Sequence, residues 1–447
     1  ALPAGLVIMQ RRKAWPSASR TPPRGDRLAG KETKMNDAEA RPDNIVIIGG
    51  GHAAAQLCAG LVAAGQGGRV HLVCEEAELP YQRPPLSKAY LKNLLEVLQP
   101  HRAEAWYADA GITLHRADPA VGIDPGRRTV RLRSGTELAY GKLVLATGTR
   151  ARGLPHLPQA QDNGLANVAV LRSAADALRL RTLLDAATHL TVLGGGFIGL
   201  EIAANARAAG KAVTVLEAAP RLLMRSVSPE LAEHVLQTHR ASGIDLRLGV
   251  AVGGFEVDGN RLAALTVDGT REPVELMVLG IGAVPEHTLA SEAGLACDNG
   301  IEVDELMRTS DAHILAVGDC ASFDEYTSGR HLRLESVQNA NDQARTAVAT
   351  LLGREEPYRA LPWFWSEQGA LRLQMAGLMP PDGTRYRRAG ATSASFSILH
   401  YAQDRLVCAE SVNAPLDHMA ARKLLESGKS PSPESACDTN TALKTHV

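Results

Sequence analysis

Two glycine-rich turns, 145 residues apart, constrain this 447-residue chain more than any other feature. The first follows Ile45-Val46-Ile47-Ile48 and reads Gly49-Gly50-Gly51-His52-Ala53-Ala54. The second follows Leu190-Thr191-Val192-Leu193 and reads Gly194-Gly195-Gly196-Phe197-Ile198-Gly199. Each apolar run predicts a buried strand, and each turn opens an Ala-rich helical run. In that setting the first glycine permits a tight turn and the second lets backbone approach a pyrophosphate. The third, small position lets helix pack closely on strand. The phosphates then lie against unpaired N–H groups at the positive end of a helix dipole. The second copy is a full Gly-x-Gly-x-x-Gly, whereas the first ends in the permitted alanine, Ala54. His52 occupies a variable position and carries no expected catalytic role. Two dinucleotide seats in one chain suggest a bound flavin and a visiting nicotinamide.

An acid at the end of the next strand should accept the ribose hydroxyls. After the first turn, Arg69-Val70-His71-Leu72-Val73-Cys74 predicts a strand ending at Glu75 and Glu76; after the second, Ala212-Val213-Thr214-Val215-Leu216 ends at Glu217. Glu75 and Glu217 lie 26 and 23 residues past the first glycine of their turns. A carboxylate at Glu217 would repel a 2′-phosphate, which favours NADH over NADPH, although Arg221 lies four residues on.

Composition removes several alternatives. The net charge is -1 and 22% of residues are charged, so nothing points to nucleic acid. No apolar run reaches the roughly 18 residues of a membrane span. The six cysteines, at 58, 74, 297, 320, 408 and 437, form no C-x-x-C or C-x₄-C pair. That argues against a dithiol reductase and against a resident iron–sulfur cluster, and no metal site is expected. Cys58 and Cys74 should pack as small hydrophobes, in a reduced, cytoplasmic setting. Residues 1–34 carry eight Lys/Arg, two acids and four prolines. Met35 is expected as the natural start, with residues 1–42 a disordered or non-native extension; a basic transit-like arm is the alternative.

The expected fold is α/β: two doubly wound Rossmann-type domains, one nested in the other, plus a small C-terminal α+β domain. Leu143-Val144-Leu145-Ala146-Thr147-Gly148 closes the first unit, and Leu276 to Gly282 closes the nested one. His313-Ile314-Leu315-Ala316-Val317-Gly318-Asp319 then reads as a strand returning to the first, its acid aimed into the ligand crevice. The expected boundaries are 43–149 with 281–353 for the first domain, 150–280 for the nested domain and 354–428 for the C-terminal one. Residues 429–447, rich in Ser, Pro and Thr, are expected as a flexible tail.

Tyr81-Gln82-Arg83-Pro84-Pro85-Leu86-Ser87-Lys88 resembles the Arg-Pro-Pro-Leu-Ser-Lys signature of FAD-dependent ferredoxin reductases, which serve cytochrome P450s and Rieske-type oxygenases. Gly194 to Glu201, Val317 to Cys320, Leu334 to Ala340 and Trp363 to Gln368 extend the resemblance over residues 43–425. It implies FAD in the first cradle and NADH in the second. Asp319 would then bond the flavin ribityl chain, and Arg172 and Val337 would contact FAD. Lys88 would lie beside the flavin ring, paired with Glu201, and Trp365 near its edge. Arg83, Val121, Ala146, Thr147, Gly148, Gly282 and Gly318 join the expected cofactor contacts. Without the resemblance, Lys88 reads as a solvated loop lysine and Glu201 as a first-turn helix acid. Pro285-Glu286 departs from the family's Pro-Asn and puts its nucleotide contacts there in doubt.

Trp363 and Trp365 read either as core packing or as one residue inward and one toward a partner. Arg345, Arg372, Arg385, Arg387 and Arg388 offer charge to an acidic partner, or form a solvated face. The resemblance implies hydride transfer from NADH to FAD, then single electrons to a [2Fe–2S] ferredoxin and through it to an oxygenase. The protein is expected as a monomer or homodimer with no nucleic-acid or membrane partner. An NADH oxidase or quinone reductase, and a nicotinamide-sensing flavoprotein like apoptosis-inducing factor, are the alternatives.

Overall fold

Five short strands, all parallel, form the first sheet, in the order Ile314–Ala316, Lys142–Leu145, Ile45–Ile48, Val70–Val73, Thr113–His115. The computed structural model describes residues 43–92, 97–154, 157 and 164–447; the expected extension 1–42 lies outside them. Ile45–Ile48 and Lys142–Leu145 are almost continuously buried because helices or loops cover both faces of the sheet. Helix His52–Ala63 packs on one face beside helix Val337–Leu351. A Cβ at Gly60 would meet Val348 Cγ2 at 2.8 Å, so that helix crossing depends on glycine.

A second parallel sheet runs Asp245–Leu248, Ala212–Glu217, His189–Leu193, Leu276–Leu279, Val168–Ala169. The chain enters and leaves this unit through an antiparallel pair, Thr149–Ala151 with Ala283–Pro285, and then places Ile314–Ala316 beside Lys142–Leu145. The second sheet is therefore inserted within the first domain.

The C-terminal unit is a five-stranded antiparallel sheet covered by helix Pro415–Ser427. The expected flexible tail is instead packed against it. Ser432 caps helix Pro433–Cys437, with Pro433 in its first turn, and Ala436 and Leu443 are buried. Arg388, only 5% exposed, donates to the carbonyls of Ala436, Asp438 and Thr441, each at 2.8 Å. A composition that suits solvation also suits a capped turn, and this buried guanidinium decides between them. Arg388 is accordingly a structural clamp and not part of a solvated basic face. No described helix is long and apolar enough to cross a membrane.

Candidate functional site

At both turns the backbone takes a form that side chains resist. Gly49 has φ +129° and Gly194 has φ +108°. A Cβ at Gly49 would run into the Ala146 carbonyl, and one at Gly194 would lie 2.5 Å from the Gly280 carbonyl. Gly199 lets its helix close on its own strand, because a Cβ there would reach Gly194 O at 2.5 Å. Helices His52–Ala63 and Phe197–Ala208 begin at Gly51 and Gly196, with no side-chain cap and no acid in the first turn. Their first-turn N–H groups thus have neither intrahelical nor side-chain partners, which suits a bound pyrophosphate.

The first cradle is surrounded by charge. Arg83 donates to Glu76 Oε1 at 2.7 Å and to the Arg172 carbonyl at 2.8 Å. Arg172 donates to the Thr149 carbonyl at 2.8 Å and to Asp319 Oδ2 at 3.1 Å. The Gly318-Asp319 turn packs on the cradle helix, since a Cβ at Gly318 would lie 3.3 Å from Ala53 Cβ. Burial pushes the Asp319 carboxyl up, against the pull of Arg172. His52 meets His101 edge-on at 4.6 Å. Burial, then His101, Arg83 and Arg172, hold His52 down at about 3, so it is neutral at physiological pH. The guanidinium groups of Arg83 and Arg172, beside an uncapped helix start, fit an anionic dinucleotide.

Other predicted residues gather around this turn. Ala146 lies under Gly49, and Thr147 Oγ1 donates to the Glu286 carbonyl at 2.5 Å. Glu286 N–H donates to the Gly148 carbonyl at 2.9 Å, while its side chain bonds Thr288 Oγ1 at 2.7 Å. Val337 opens its helix after the Ser336 cap. Glu75 is exposed, whereas Glu76 is bound by Arg83 and by Tyr81 at 2.7 Å. Ala117 and Asp118 N–H groups donate to the carbonyls of Glu76 and Cys74, which brings the chain leading to exposed Val121 beside those acids. Cys58 and Cys74 are core residues, and burial pushes both thiols up, Cys74 to about 12.

The second cradle is simpler. Glu217 accepts from Gly195 N–H at 2.6 Å and Ala219 N–H at 2.7 Å, which brings its carboxylate back to the glycine turn. Gly195 is also crowded by Leu222, whose Cδ2 would sit 2.5 Å from an added Cβ. Gly282, φ +101°, follows the strand facing the turn. Arg221 spends its guanidinium on the carbonyls of Val227 at 2.9 Å and Met224 at 2.7 Å. Ile198, on the first turn of the helix, is 45% exposed.

Between the cradles lies one buried ion pair. Lys88 Nζ donates to Glu201 Oε2 at 2.8 Å, with Lys88 19% and Glu201 2% exposed. Lys88 belongs to the first domain, just after the Pro84–Ser87 turn, and Glu201 to the second turn of the second cradle helix. Lys88 is thus not the solvated loop lysine, nor Glu201 the first-turn helix acid, that the bare sequence allows. Sequence reasoning missed the partners of Glu201: Ser87 Oγ at 2.5 Å and Ser366 Oγ at 2.7 Å. Asn205 Nδ2 also holds the Ser87 carbonyl at 2.5 Å. Serine has no local signature for this role; only the fold brings these three together.

Of the two readings of the tryptophans, the division into one inward and one outward side chain does not hold. Side chains two apart on a strand share a face, and Trp363 and Trp365 stack with centroids 5.8 Å apart. Phe364 turns the other way, edge-on to Phe197 at 4.9 Å. Arg422 lies 4.3 Å from the Trp363 ring centroid. Arg345 is exposed and paired with Asp342, and Arg387 reaches Glu230 at 3.2 Å. Among the described residues no group of three or more His, Cys, Asp or Glu is placed to hold a metal ion.

Comparison with known proteins gives the same architecture. The profile described as pyridine nucleotide-disulphide oxidoreductase matches residues 43–344, and one described as reductase C-terminal matches 363–447. Rhodocoxin reductase of Rhodococcus erythropolis is 42% identical over 90% of this chain and 93% of its own length. The crystal structure of the ferredoxin reductase for the CYP199A2 system from Rhodopseudomonas palustris superposes with TM-score 0.86 at 42% identity, covering 90% of this chain and 99% of that one. The putidaredoxin reductase chain of a covalent complex with putidaredoxin gives 0.86 at 38% identity, covering 90% and 98%.

Proposed function

Because the chain belongs to the pyridine nucleotide-disulphide oxidoreductase family and carries a reductase C-terminal unit, we propose that it is an NADH-dependent ferredoxin reductase with FAD in its first cradle. The observation that carries this reading is the Lys88–Glu201 pair, where the domain of the first seat meets the helix of the second at 2.8 Å. Two seats joined there can bring two cofactor rings together. Bound FAD would supply the conversion of a two-electron hydride donor into a source of single electrons.

The chain's own residues provide placement and charge. The Gly51 helix start, Arg83 and Arg172 offset the pyrophosphate charge, and Asp319 accepts from ribityl hydroxyls. Lys88 presents its ammonium to the flavin ring, where positive charge stabilises the reduced form. Glu201 keeps that ammonium aimed. At the second seat Glu217 accepts from the ribose hydroxyls and repels a 2′-phosphate. The Arg221 guanidinium is committed to backbone carbonyls, which supports NADH over NADPH. Trp365, stacked on Trp363, directly precedes the Ser366 that reaches Glu201. Trp365 is the residue we assign to the path toward a [2Fe–2S] ferredoxin, and through it to an oxygenase.

The test is NADH-dependent cytochrome c reduction with and without [2Fe–2S] ferredoxins of oxygenase systems. The rate should rise severalfold with the right ferredoxin; equal rates with every candidate would remove the assignment.

A further inference from the structure

The Glu201 carboxylate is shared by three domains. Oε2 accepts from Ser87 Oγ at 2.5 Å and Lys88 Nζ at 2.8 Å, both from the first domain. Oε1 accepts from Ser366 Oγ at 2.7 Å and from Glu367 N–H at 3.4 Å, both from the C-terminal sheet. Behind Ser366 the chain of contacts continues. Gln368 Nε2 donates to Ser366 Oγ at 3.1 Å, and Gln368 Oε1 faces His239 Nε2 at 2.9 Å. Ser366, Gln368 and His239 are 1%, 1% and 2% exposed.

These contacts have a direction. An amide nitrogen can only donate, so Ser366 Oγ accepts from Gln368 and its single proton is left for Glu201. The amide oxygen can only accept, so His239 carries its proton on Nε2. Burial lowers the pKa of His239, which keeps the ring neutral. Each donor in the row thus points toward the carboxylate, and in a water-poor interior such rows reinforce one another. Without the Ser366 donor, Oε1 would keep only the Glu367 N–H at 3.4 Å, so the carboxylate would be held less firmly and one buried acceptor left poorly satisfied.

We propose that Ser366, oriented by Gln368 and His239, is a positioning residue for the reductive half-reaction. It fixes the Glu201 carboxylate so that Oε2 faces Lys88. The ammonium is thereby tied to strand Trp363–Gln368, which also carries Trp365, and its setting is complete only when the C-terminal unit is docked. This inference rests on the assignment of Lys88 to the flavin ring.

The experiment uses the FAD-loaded full chain and compares Ser366→Ala, Ser366→Thr, Gln368→Met, Lys88→Met and the double variant S366A/K88M. The flavin midpoint potential and the single-turnover rate of flavin reduction by NADH are read for each. Ser366→Ala should lower the potential and slow reduction about tenfold, the loss typical of one hydrogen bond to a charged group. Ser366→Thr, which keeps the hydroxyl, should restore both. Gln368→Met should act in the same direction but less. With Lys88→Met already present, Ser366→Ala should change neither quantity further. Wild-type potentials in Ser366→Ala and Gln368→Met, or equal effects of Ser366→Ala in both backgrounds, would overturn the proposal. If Ser366→Ala fails to fold, Gln368→Met and its combination with Lys88→Met decide the matter by the same criteria. A wild-type reduction rate in Lys88→Met is a separate result, and it would remove the assignment on which the inference rests.

Discussion

The two cradles share a fingerprint, yet they are built to different degrees of enclosure. Around the first, Arg83, Arg172 and the Gly318-Asp319 turn come from three distant stretches of chain and bond one another across the seat. Around the second, one acid folds back onto the glycine turn, and the first helical turn leaves Ile198 45% exposed. The first seat is thus bordered by mutually bonded side chains, and the second by a single acid and a half-exposed helical turn. Glycine spacing therefore reads alike at both turns, and the surrounding chain is what distinguishes the two seats. That contrast is our basis for a resident FAD and an exchangeable NADH.

The sharpest way to break the contrast is the same substitution at both turns. Gly49→Ala drives a methyl into the Ala146 carbonyl at a φ that side chains rarely adopt. The protein should be produced without flavin, with FAD affinity down at least about a hundredfold, since strain and a backbone clash together exceed ~3 kcal/mol. Gly194→Ala should retain flavin absorbance and lose NADH-dependent reduction instead. Flavin-free protein from both variants, or from neither, would show that the cradles are not differently assigned.

A smaller effect is expected at Glu217. Replacing it with Ala removes a ribose acceptor and the repulsion of a 2′-phosphate, so the NADH-to-NADPH ratio of kcat/KM should fall about tenfold. FAD content should not change. An unaltered ratio would place the nicotinamide ribose elsewhere.

Much of this is legible in the sequence alone, because the strongest signals are local. A buried β-branched strand, a glycine turn and an Ala-rich helix occupy one continuous stretch, and each piece implies the next. The nested order is legible too, because the His313–Asp319 run reads as a strand ending in a crevice acid. What failed depends on distant contacts. Ser432-Pro433 is a helix start inside a loose-looking composition, and it is held by Arg388, some fifty residues earlier, together with the buried Ala436 and Leu443. The inward–outward reading of Trp363 and Trp365, by contrast, fails on a local point, since a two-residue interval on a strand returns to the same face. Glu76 looked interchangeable with Glu75 until Arg83 and Tyr81 engaged it. Ser366 has no sequence signal of its own, and its role exists only where three domains meet.

The mildest test turns on His52, which stands where the second cradle has Phe197. Its pKa is about 3 in the folded chain, depressed by burial first and then by His101, Arg83 and Arg172; an unfolded chain would have it near 6.5. Between those values the unfolded state binds the extra proton, so flavin-free protein loses stability as pH falls below about 6.5. By about pH 5.5 the loss from this one residue should be about 1 kcal/mol, and His52→Gln should reduce it. A pyrophosphate at the same helix start supplies the opposite charge, raises the His52 pKa and flattens the dependence. FAD should therefore protect the fold against mild acid beyond its effect at pH 7, as read by Tm across the range. The second cradle has Phe197 at the corresponding position, so NADH there should leave the slope unchanged. A slope that flattens with NADH but not with FAD would reverse the assignment of the two seats.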